Sequence, residues 1–400
     1  MRWRVLLAVV LLGAALLGWN YLRPVPLVSA SSGLPVQTII EGTAPALPWP
    51  GTGSGAVGVS GLGPIATSGD VQPSPAASVA KIMTALVVLA DKPLTPPASG
   101  PYITLTDEDF QSYQADLAQK QSVVPVQAGE QLTELQALEA MLIPSGNNIA
   151  ETLARWDAGS VPAFVAKMNK RASALGLART KFADPAGASP DTTSVPADLM
   201  VMGMAAMKLP AIAAVVKMPQ ASLPVAGTVY NVDAALGKDG IIGIKTGSGF
   251  NVGANFLFAA ALTISNHVIT IYGCVMGQPT LDAAFSAARA LVRAMQPALT
   301  VKQILARNQA VGAYDTAWGD HSDVLSTVDV ALVEWPGMVL RQQLEARTLS
   351  VDHPISPGTS VGFLHVVLGD YRLDVPLATA SELYPAGKIW RVTRLPGQNS

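Results

Sequence analysis

Three short groups of residues have the types and spacing needed to activate a serine hydroxyl. Ser78-Val79-Ala80-Lys81 places a lysine three residues after a serine, at the start of a predicted helix. Ser145-Gly146-Asn147 follows in a predicted loop, and Lys245-Thr246-Gly247 follows later on a predicted strand. Each motif is short enough to occur by chance. The three together, in this order and on these elements, indicate a catalytic site.

The first motif supplies a nucleophile and a base. A serine hydroxyl is a poor nucleophile and needs an adjacent base to take its proton. Residues three apart share a helix face, so the amine of Lys81 can reach the oxygen of Ser78. Lys81 must be uncharged to act, and burial, the positive end of the helix dipole and a second lysine, Lys245, all disfavour its ammonium form. We therefore predict Ser78 as the nucleophile and Lys81 as its base.

The second motif and the lysine of the third complete the chemistry of acyl transfer. Ser145 can pass the proton on to the leaving amine. Asn147 offers an amide that can orient both the substrate and Lys81. Lys245 supplies positive charge for a substrate that ends in a carboxylate.

The rest of the third motif is expected to bind the substrate backbone. Gly247 leaves a strand edge without a side chain, so an extended peptide can pair beside it. The backbone N–H groups of Ser78 and Ser248 are predicted to form an oxyanion hole. Thr246 is also predicted to bind substrate, although simple alternation puts it on the strand face opposite Lys245, so its role depends on the geometry of an edge strand.

Composition excludes several other classes of protein. The chain has 400 residues, 26 Lys and Arg against 28 Asp and Glu, and a formal net charge of −2, so it lacks the basic excess of nucleic-acid binders. Its one cysteine, Cys274, cannot form an internal disulfide or a cysteine-based zinc site. The four histidines are scattered, and no spacing of His or carboxylates indicates a metal. We predict no metal and no cofactor.

The N-terminal residues predict a membrane segment. Residues 5–19 carry no charge and follow Arg2 and Arg4, which favour a cytoplasmic N-terminus with the rest of the chain outside the cell. The length of this uncharged segment lies between that of a signal peptide and that of an anchor helix. Val28-Ser29-Ala30 has small residues suited to cleavage, but Trp19 and Tyr21 are typical of an interface anchor. We favour an uncleaved single-pass anchor, and a cleaved, secreted form stays open.

Sequence patterns divide the chain into four segments: an anchor or signal segment over 1–23, a Pro/Gly-rich linker over 24–53, a catalytic domain over 54–298 and a β-rich domain over 299–400. In the catalytic domain, a short hairpin over 56–68 precedes buried helices. Three consecutive antiparallel strands are predicted over 241–276, and an alanine-rich helix over 281–295 follows them.

With these residues in hand, the chain resembles the serine-type D-alanyl-D-alanine carboxypeptidases, the low-molecular-mass penicillin-binding proteins of peptidase family S11. The resemblance covers about residues 54–297 and includes the three motifs, Phe182-Ala183-Asp184-Pro185-Ala186-Gly187 and Gly243-Ile244-Lys245-Thr246-Gly247. It implies an α/β (α+β) fold: a β-lactamase/transpeptidase-like domain with an antiparallel sheet flanked by helices, followed by a C-terminal all-β domain. It also implies that Ser78 is acylated while a peptidoglycan stem peptide loses its terminal D-alanine, and that β-lactams acylate the same serine.

The chain also departs from the family pattern. Ser248-Gly249 follows the third motif where the family more often has a larger residue, and Asn148 follows the second motif in place of Asp. The family commonly has an arginine near the start of the last helix of this domain. Here residues 278–288 contain none, and Arg289 comes late.

Two other functions remain open at this point. A class A β-lactamase needs a glutamate between the second and third motifs to deacylate quickly, and Glu151 is the only glutamate there. A catalytically weak wall-binding protein would keep the pocket and lose the turnover. The prediction we favour is a membrane-anchored D-Ala-D-Ala carboxypeptidase.

Overall fold

The computed structural model describes residues 2–69, 72–249 and 252–394. The chain divides into two compact units. The central unit is Ala44–Thr300, and the terminal unit combines Met1–Thr43 with Val301–Ser400. All three motifs belong to the central unit.

The terminal unit begins with a long apolar helix. Helix α1 (Arg2–Leu22) has no buried residue, and it is long and apolar enough to cross a membrane. Two short strands follow it, β1 (Ala30–Ser32) and β2 (Gln37–Ile39).

The central unit contains eight α-helices and eleven strands within the described residues. Its strands are β3 (Ser54–Val59), β4 (Gly63–Ser68), β5 (Ser74–Pro75), β6 (Tyr102–Thr104), β7 (Gln131–Thr133), β8 (Thr193–Ser194), β9 (Gln220–Leu223), β10 (Gly227–Tyr230), β11 (Ile241–Gly249), β12 (Gly253–Ile264) and β13 (His267–Gln278). Its helices are α2 (Lys81–Asp91), α3 (Asp107–Ala118), α4 (Glu134–Leu142), α5 (Asn147–Ala158), α6 (Val161–Ala174), α7 (Pro196–Ala206), α8 (Pro210–Val215) and α9 (Leu281–Met295).

A five-stranded antiparallel sheet carries the third motif. Its strand order is β11-β12-β13-β3-β4, which confirms the predicted hairpin and the three consecutive strands after residue 241. Helix α9 packs on β12 and β13 through its apolar face, where the rings of Phe285 and Phe256 meet edge to face at 5.0 Å. Such a pair stabilises the contact by about 0.5–1.5 kcal/mol beyond area burial. Strand β11 lies at one edge of this sheet.

A helical layer carries the first and second motifs. Helix α2 is buried from Lys81 to Leu89, because apolar residues occupy nearly its whole circumference, and it packs against α5, α6 and α7. Helix α4 begins at a capping box formed by Thr133 and Gln136, and α5 begins at Asn147 after a tight turn. The loop predicted at the second motif therefore lies between these two helices.

The terminal unit is built on a seven-stranded antiparallel sheet. Its other elements are β14 (Thr300–Leu305), β15 (Ala310–Asp315), β16 (His321–Ser326), β17 (Val330–Glu334), β18 (Val339–Ala346), β19 (Ser360–Leu368), β20 (Tyr371–Thr379) and the short helix α10 (Lys388–Thr393). The order of the large sheet is β1-β15-β16-β20-β19-β18-β2. The β-rich character expected after residue 299 is present. Helix α10 was not predicted, because six residues are too few to show a helical pattern.

Part of the segment predicted as a linker, residues 24–53, forms strands. Strand β1 pairs with β15 and strand β2 pairs with β18, so residues after α1 form both edges of the large sheet. Short edge strands protect a sheet from pairing with other chains. The sequence of this segment is typical of a linker because its two strands are three residues long and mostly exposed. Such short strands show no alternation of apolar and polar residues.

Candidate active site

The predicted nucleophile lies at a strained turn. Ser78 is in the 3₁₀ turn Ala77–Ala80, directly before α2. The preceding residue, Ala77, has a φ of +49°, in the left-handed region that non-glycine residues rarely adopt. Gly187 lies against this turn, and a Cβ there would overlap the carbonyl of Ala77. Strained backbone of this kind clusters at active sites.

The side chain of Lys81 is fully buried and reaches three oxygen atoms. Its Nζ lies 2.8 Å from Oγ of Ser78, 2.6 Å from Oδ1 of Asn147 and 2.9 Å from the backbone oxygen of Ala186. The structure thus brings together the first motif, the second motif and one backbone group that sequence reasoning gave no role.

The environment of Lys81 favours its uncharged amine. Burial lowers the pKa of Lys81 well below its usual value, and the positive charge of Lys245 lowers it further, against smaller opposing effects of Asp184 and Asp116. An uncharged amine has two N–H donors and one lone pair. The oxygens of Asn147 and Ala186 accept both donors, so the lone pair is left for the hydroxyl of Ser78. This arrangement suits Lys81 to take the proton of the nucleophile.

The carbonyl of Ala186 is held by a well-bonded loop. The carboxylate of Asp184 accepts the backbone N–H groups of Ala186 at 3.2 Å and of Ala188 at 2.7 Å. From α2, the hydroxyl of Thr84 donates to the carbonyl of Pro185 at 2.6 Å. The loop and the helix that carries Lys81 are thereby fixed to each other.

The two asparagines after Gly146 have different tasks. Asn147 accepts from Lys81 with Oδ1 and donates through Nδ2 to Oε1 of Gln121 at 2.5 Å. Asn148 accepts the backbone N–H of Val124 at 3.0 Å and donates to its carbonyl at 2.9 Å. The departure from the family at position 148 therefore concerns a residue that anchors a neighbouring loop.

Ser145 is placed in the turn between α4 and α5. It is buried and has a left-handed φ of +70°. Within the described residues, the hydrogen bonds of the Lys81 amine go to Ser78, Asn147 and Ala186, and the hydroxyl of Ser145 is not among them. The proton relay through Ser145 therefore stays a prediction.

Strand β11 packs directly against the turn that carries Ser78. A Cβ on Gly247 would lie 2.9 Å from the carbonyl oxygen of Ala76 and 3.1 Å from a methyl carbon of Val79, so only glycine permits this approach. We expected Gly247 to leave room for a peptide. The structure adds a second task, which is to let the strand approach the nucleophile turn, and the pairing of a peptide beside Gly247 stays a prediction.

The remaining residues of the third motif take up distinct positions on β11. Lys245 and Thr246 are buried, whereas Ser248 is exposed at the end of the strand. Burial lowers the pKa of Lys245 to about 7, and the carboxylate of Asp233 opposes that shift. Burial in turn raises the pKa of Asp233 to about 6. Lys245 therefore titrates close to neutral pH, with Asp233 favouring its charged form.

Asn255 on β12 braces the same turn from the sheet. Its Nδ2 donates to the carbonyls of Pro75 at 3.0 Å and Ala76 at 3.1 Å, and its Oδ1 accepts the N–H of Gly277 at 2.9 Å. Asn255 is buried, so these bonds lie away from water and are worth more than surface bonds.

An open cleft lies above these groups. Its volume is about 530 Å³, which is enough for a short peptide end or a bicyclic antibiotic. Ser78, Asn147 and Ser248 lie on its wall, while Lys81 and Lys245 are buried and are not among its lining residues. The other lining residues are Pro75, Ala77, Gln119, Lys120, Gln121, Ser122, Gly187, Ala188, Ser189, Pro190, Gly249 and Val252.

Arg289 is engaged elsewhere. Its Nε lies 2.5 Å from the carboxylate of Asp239, which Arg293 also contacts at 2.9 Å. Arg289 therefore does not replace the arginine that the family places near the start of this helix.

Sequence reasoning missed three residues that hold the site. Ala186 acts through its backbone carbonyl, and nothing in a side chain reports such a role. Gln121 and Asn255 are single polar residues outside any motif. The one available signal for Ala186 was its place in Asp184-Pro185-Ala186-Gly187. This run is part of the resemblance to the family, but the sequence analysis gave it no role.

Comparison with known proteins identifies the family. The family model described as D-alanyl-D-alanine carboxypeptidase, Peptidase_S11, matches residues 65–280, which is more than half of the chain. The chain belongs to this family. It is a serine hydrolase of the D-alanyl-D-alanine carboxypeptidase type.

Individual relatives agree with this assignment. The chain is 33% identical over 218 residues to D-alanyl-D-alanine carboxypeptidase DacB2 of Mycobacterium tuberculosis, across 52% of this chain and 69% of that protein. The crystal structure of the Streptomyces K15 DD-transpeptidase superposes with a TM-score of 0.56 at 28% identity, over 64% of this chain and all of that one. Penicillin-binding protein 5 of Haemophilus influenzae matches at 19% identity with a TM-score of 0.62, over 86% of this chain and all of its own, which shows a shared fold. The predicted transpeptidase-like fold is confirmed.

Proposed function

We propose that the central unit removes the terminal D-alanine from peptidoglycan stem peptides through an acyl-enzyme on Ser78. The observation that carries this proposal is the buried amine of Lys81, 2.8 Å from the Ser78 oxygen and bonded to two carbonyl oxygens. The same family comparison that identifies the chain supports the substrate class.

The first half of the reaction forms an ester. The Ser78 oxygen attacks the carbonyl carbon of the penultimate residue as its proton passes to Nζ of Lys81. The negative charge that develops on the carbonyl oxygen is stabilised by the N–H groups of Ser78 and Ser248. The C–N bond then breaks, and the proton reaches the departing D-alanine amine through Ser145. This leaves the peptide esterified to Ser78.

The second half returns the enzyme to its resting state. Lys81 takes a proton from a water molecule, whose oxygen attacks the ester carbonyl. The bond to the Ser78 oxygen breaks, and that oxygen regains the proton from Lys81. The shortened peptide leaves as a carboxylic acid, so atoms and charges balance over the cycle.

Lys245 and its neighbours give this reaction its preference for a free peptide end. We propose that the charged amine of Lys245 attracts the terminal carboxylate and that Thr246 and Asn147 bind nearby polar groups of the peptide. β-Lactam antibiotics carry a carboxylate and a strained amide, so they acylate Ser78 in the same cleft. We expect the ester they form to deacylate slowly, because Glu151 pairs with Arg155 at 3.5 Å and is not among the residues that line the cleft.

The proposed function is tested by incubating the purified protein with a peptide that ends in D-Ala-D-Ala. We expect one free D-alanine per peptide cleaved and no cleavage of a peptide that ends in L-Ala-L-Ala. A protein that binds penicillin covalently and releases no D-alanine would be a wall-binding relative. Rapid turnover of a β-lactam would instead indicate a β-lactamase.

The titration of Lys245 predicts how substrate affinity changes with pH. Its pKa of about 7 means that the amine is charged below pH 7 and neutral above it. We expect KM for the peptide to rise with pH above 7 by up to about tenfold per unit, since only the charged form binds the carboxylate. Asp233→Asn removes a charge that favours the ammonium form, so it should move this rise to lower pH.

The matched control for that experiment is Asp239→Asn, which removes a carboxylate that pairs with Arg289 and Arg293. Its KM profile should follow that of the wild type. A KM that stays constant between pH 6.5 and 8.5 would contradict the role given to Lys245.

We further propose that α1 is an uncleaved anchor, with the N-terminus in the cytoplasm and both units outside the cell. The cleavage candidate Val28-Ser29-Ala30 supports retention because it forms part of the terminal unit. Val28 is buried and exchanges backbone hydrogen bonds with Leu349 at 2.9 and 2.8 Å. Ala30 pairs with Tyr314 as the first residue of β1. Cleavage after Ala30 would remove these contacts.

The outer end of α1 is also bonded to the last described residues. The buried guanidinium of Arg394 donates to the carbonyls of Asn20 at 2.9 Å, Arg23 at 2.6 Å and Pro24 at 2.9 Å. The amide of Asn20 donates back to the carbonyls of Val392 and Arg394 at 2.8 and 2.7 Å. These reciprocal bonds support a helix that stays with the mature protein.

The retention of α1 can be measured on the protein extracted from membranes. We expect its intact mass to include residues 2–30 and the protein to stay in the membrane pellet after carbonate washing. A mature N-terminus at Ser31, with the protein in the soluble fraction, would show that the segment is a cleaved signal.

A further inference from the structure

Gln121 occupies a defined place in the wall of the cleft. It lies on the loop after α3 and is half-buried. Its Oε1 accepts from Nδ2 of Asn147 at 2.5 Å, and its Nε2 donates to Oε1 of Gln119 at 3.0 Å. The backbone N–H of Gln121 donates to the carbonyl of Asp116 at 2.9 Å, which holds the loop on the end of α3.

This loop is also bonded to the second motif through the backbone. The N–H of Asn147 donates to the carbonyl of Ser122 at 2.8 Å. Asn147 is therefore held at its backbone by Ser122 and at its side chain by Gln121. Two adjacent residues of one loop thus fix both the position and the rotation of Asn147.

The hydrogen bonds run in a single direction from the base to the loop. Lys81 donates to Asn147, Asn147 donates to Gln121, and Gln121 donates to Gln119. A side-chain amide has an acceptor end and a donor end, so the acceptor oxygen of Gln121 selects the NH₂ end of Asn147. The oxygen of Asn147 must then face the amine of Lys81.

We propose that Gln121 is a positioning residue for acylation, which acts by holding the Asn147 oxygen toward Lys81; this inference rests on the proposed function. Without Gln121 the amide of Asn147 can rotate and present its NH₂ group to Lys81. That group would donate to the lone pair of the amine, in competition with the hydroxyl of Ser78. The base would then be occupied and the nucleophile would keep its proton.

The test compares two substitutions of Gln121 with one control. Gln121→Met keeps the length of the side chain and removes the acceptor, so we expect the second-order rate of penicillin acylation to fall about 10–100-fold. Gln121→Glu keeps an acceptor oxygen and adds a negative charge that favours the ammonium form of Lys81. We expect the Gln121→Glu variant to recover most of the acylation rate at high pH. The fall of its rate on the acidic side of the pH–rate profile should begin at a higher pH than in the wild type. Gln127→Met, an exposed residue outside the cleft, should match the wild type.

A double-mutant cycle separates positioning from a general effect on folding. In an Asn147→Ala background there is no amide left to orient, so Gln121→Met should change the rate less than twofold. The inference is overturned if Gln121→Met acylates within twofold of the wild type, or if its effect is the same in both backgrounds. If Gln121→Met unfolds, Gln121→Ala, which also removes the acceptor, takes its place, and acylation within twofold of the wild type then overturns the inference. Failure of the wild type itself to be acylated would instead refute the proposed function.

Discussion

Replacing Ser78 by alanine is expected to abolish covalent labelling by fluorescent penicillin and to reduce D-alanine release to background. Removing the nucleophile from a serine hydrolase lowers turnover on the order of 10⁶-fold. Ser78 is the residue of the first motif whose oxygen lies 2.8 Å from the buried amine of Lys81 and which lines the cleft. The measurement is in-gel fluorescence together with an assay of free D-alanine.

A serine elsewhere on the wall of the same cleft provides the matched control. Ser122 is exposed there and contributes a backbone carbonyl to its contact with Asn147. Ser122→Ala should therefore label like the wild type. A folded Ser78→Ala variant that still forms a stable penicillin adduct would mean that another side chain is the nucleophile.

The second large effect concerns the base. Lys81→Met fills the same buried volume without an amine, so we expect acylation by penicillin to slow by about 10²–10⁴-fold. Lys81→Arg should lose a similar factor, because a guanidinium keeps its proton and cannot accept one from Ser78. Stopped-flow or gel-based acylation rates at pH 7 measure both variants, and thermal unfolding checks that each is folded.

The arginine variant also separates two roles for the wild-type lysine. If Lys81 served only as a positive charge, Lys81→Arg would keep most of the activity while Lys81→Met lost it. Equal losses in the two variants support proton transfer. A near-normal rate for Lys81→Arg would refute it.

The sequence predicted the parts of the site that depend on local structure. Ser78 and Lys81 lie three residues apart on one helical turn, and helix geometry alone brings their side chains together. The strand that carries Lys245 was also predictable, because β-branched and small apolar residues alternate with short turns after residue 241. Its position at the edge of the sheet follows from strand order, which only the structure gives.

The sequence could not predict contacts made by the backbone or by isolated polar residues. The carbonyl of Ala186 depends on how its loop folds over α2, and any residue supplies a carbonyl. The packing of Gly247 on the nucleophile turn was missed for a related reason, since its close neighbours, Ala76 and Val79, are far away in sequence. The β1 and β2 strands are recruited by the large sheet of the terminal unit, so their pairing is a long-range effect as well.

The central claim is that burial keeps Lys81 an uncharged amine at pH values well below its usual pKa, and the pH dependence of Ser78 acylation tests it most directly. A lysine with its ordinary pKa near 10.5 would make the acylation rate climb about tenfold per unit up to pH 9 or 10. With its pKa lowered by burial and by Lys245, the rate of the wild type should reach its plateau or maximum well below that range. A rate that keeps rising tenfold per unit from pH 7 to pH 9 would contradict the account.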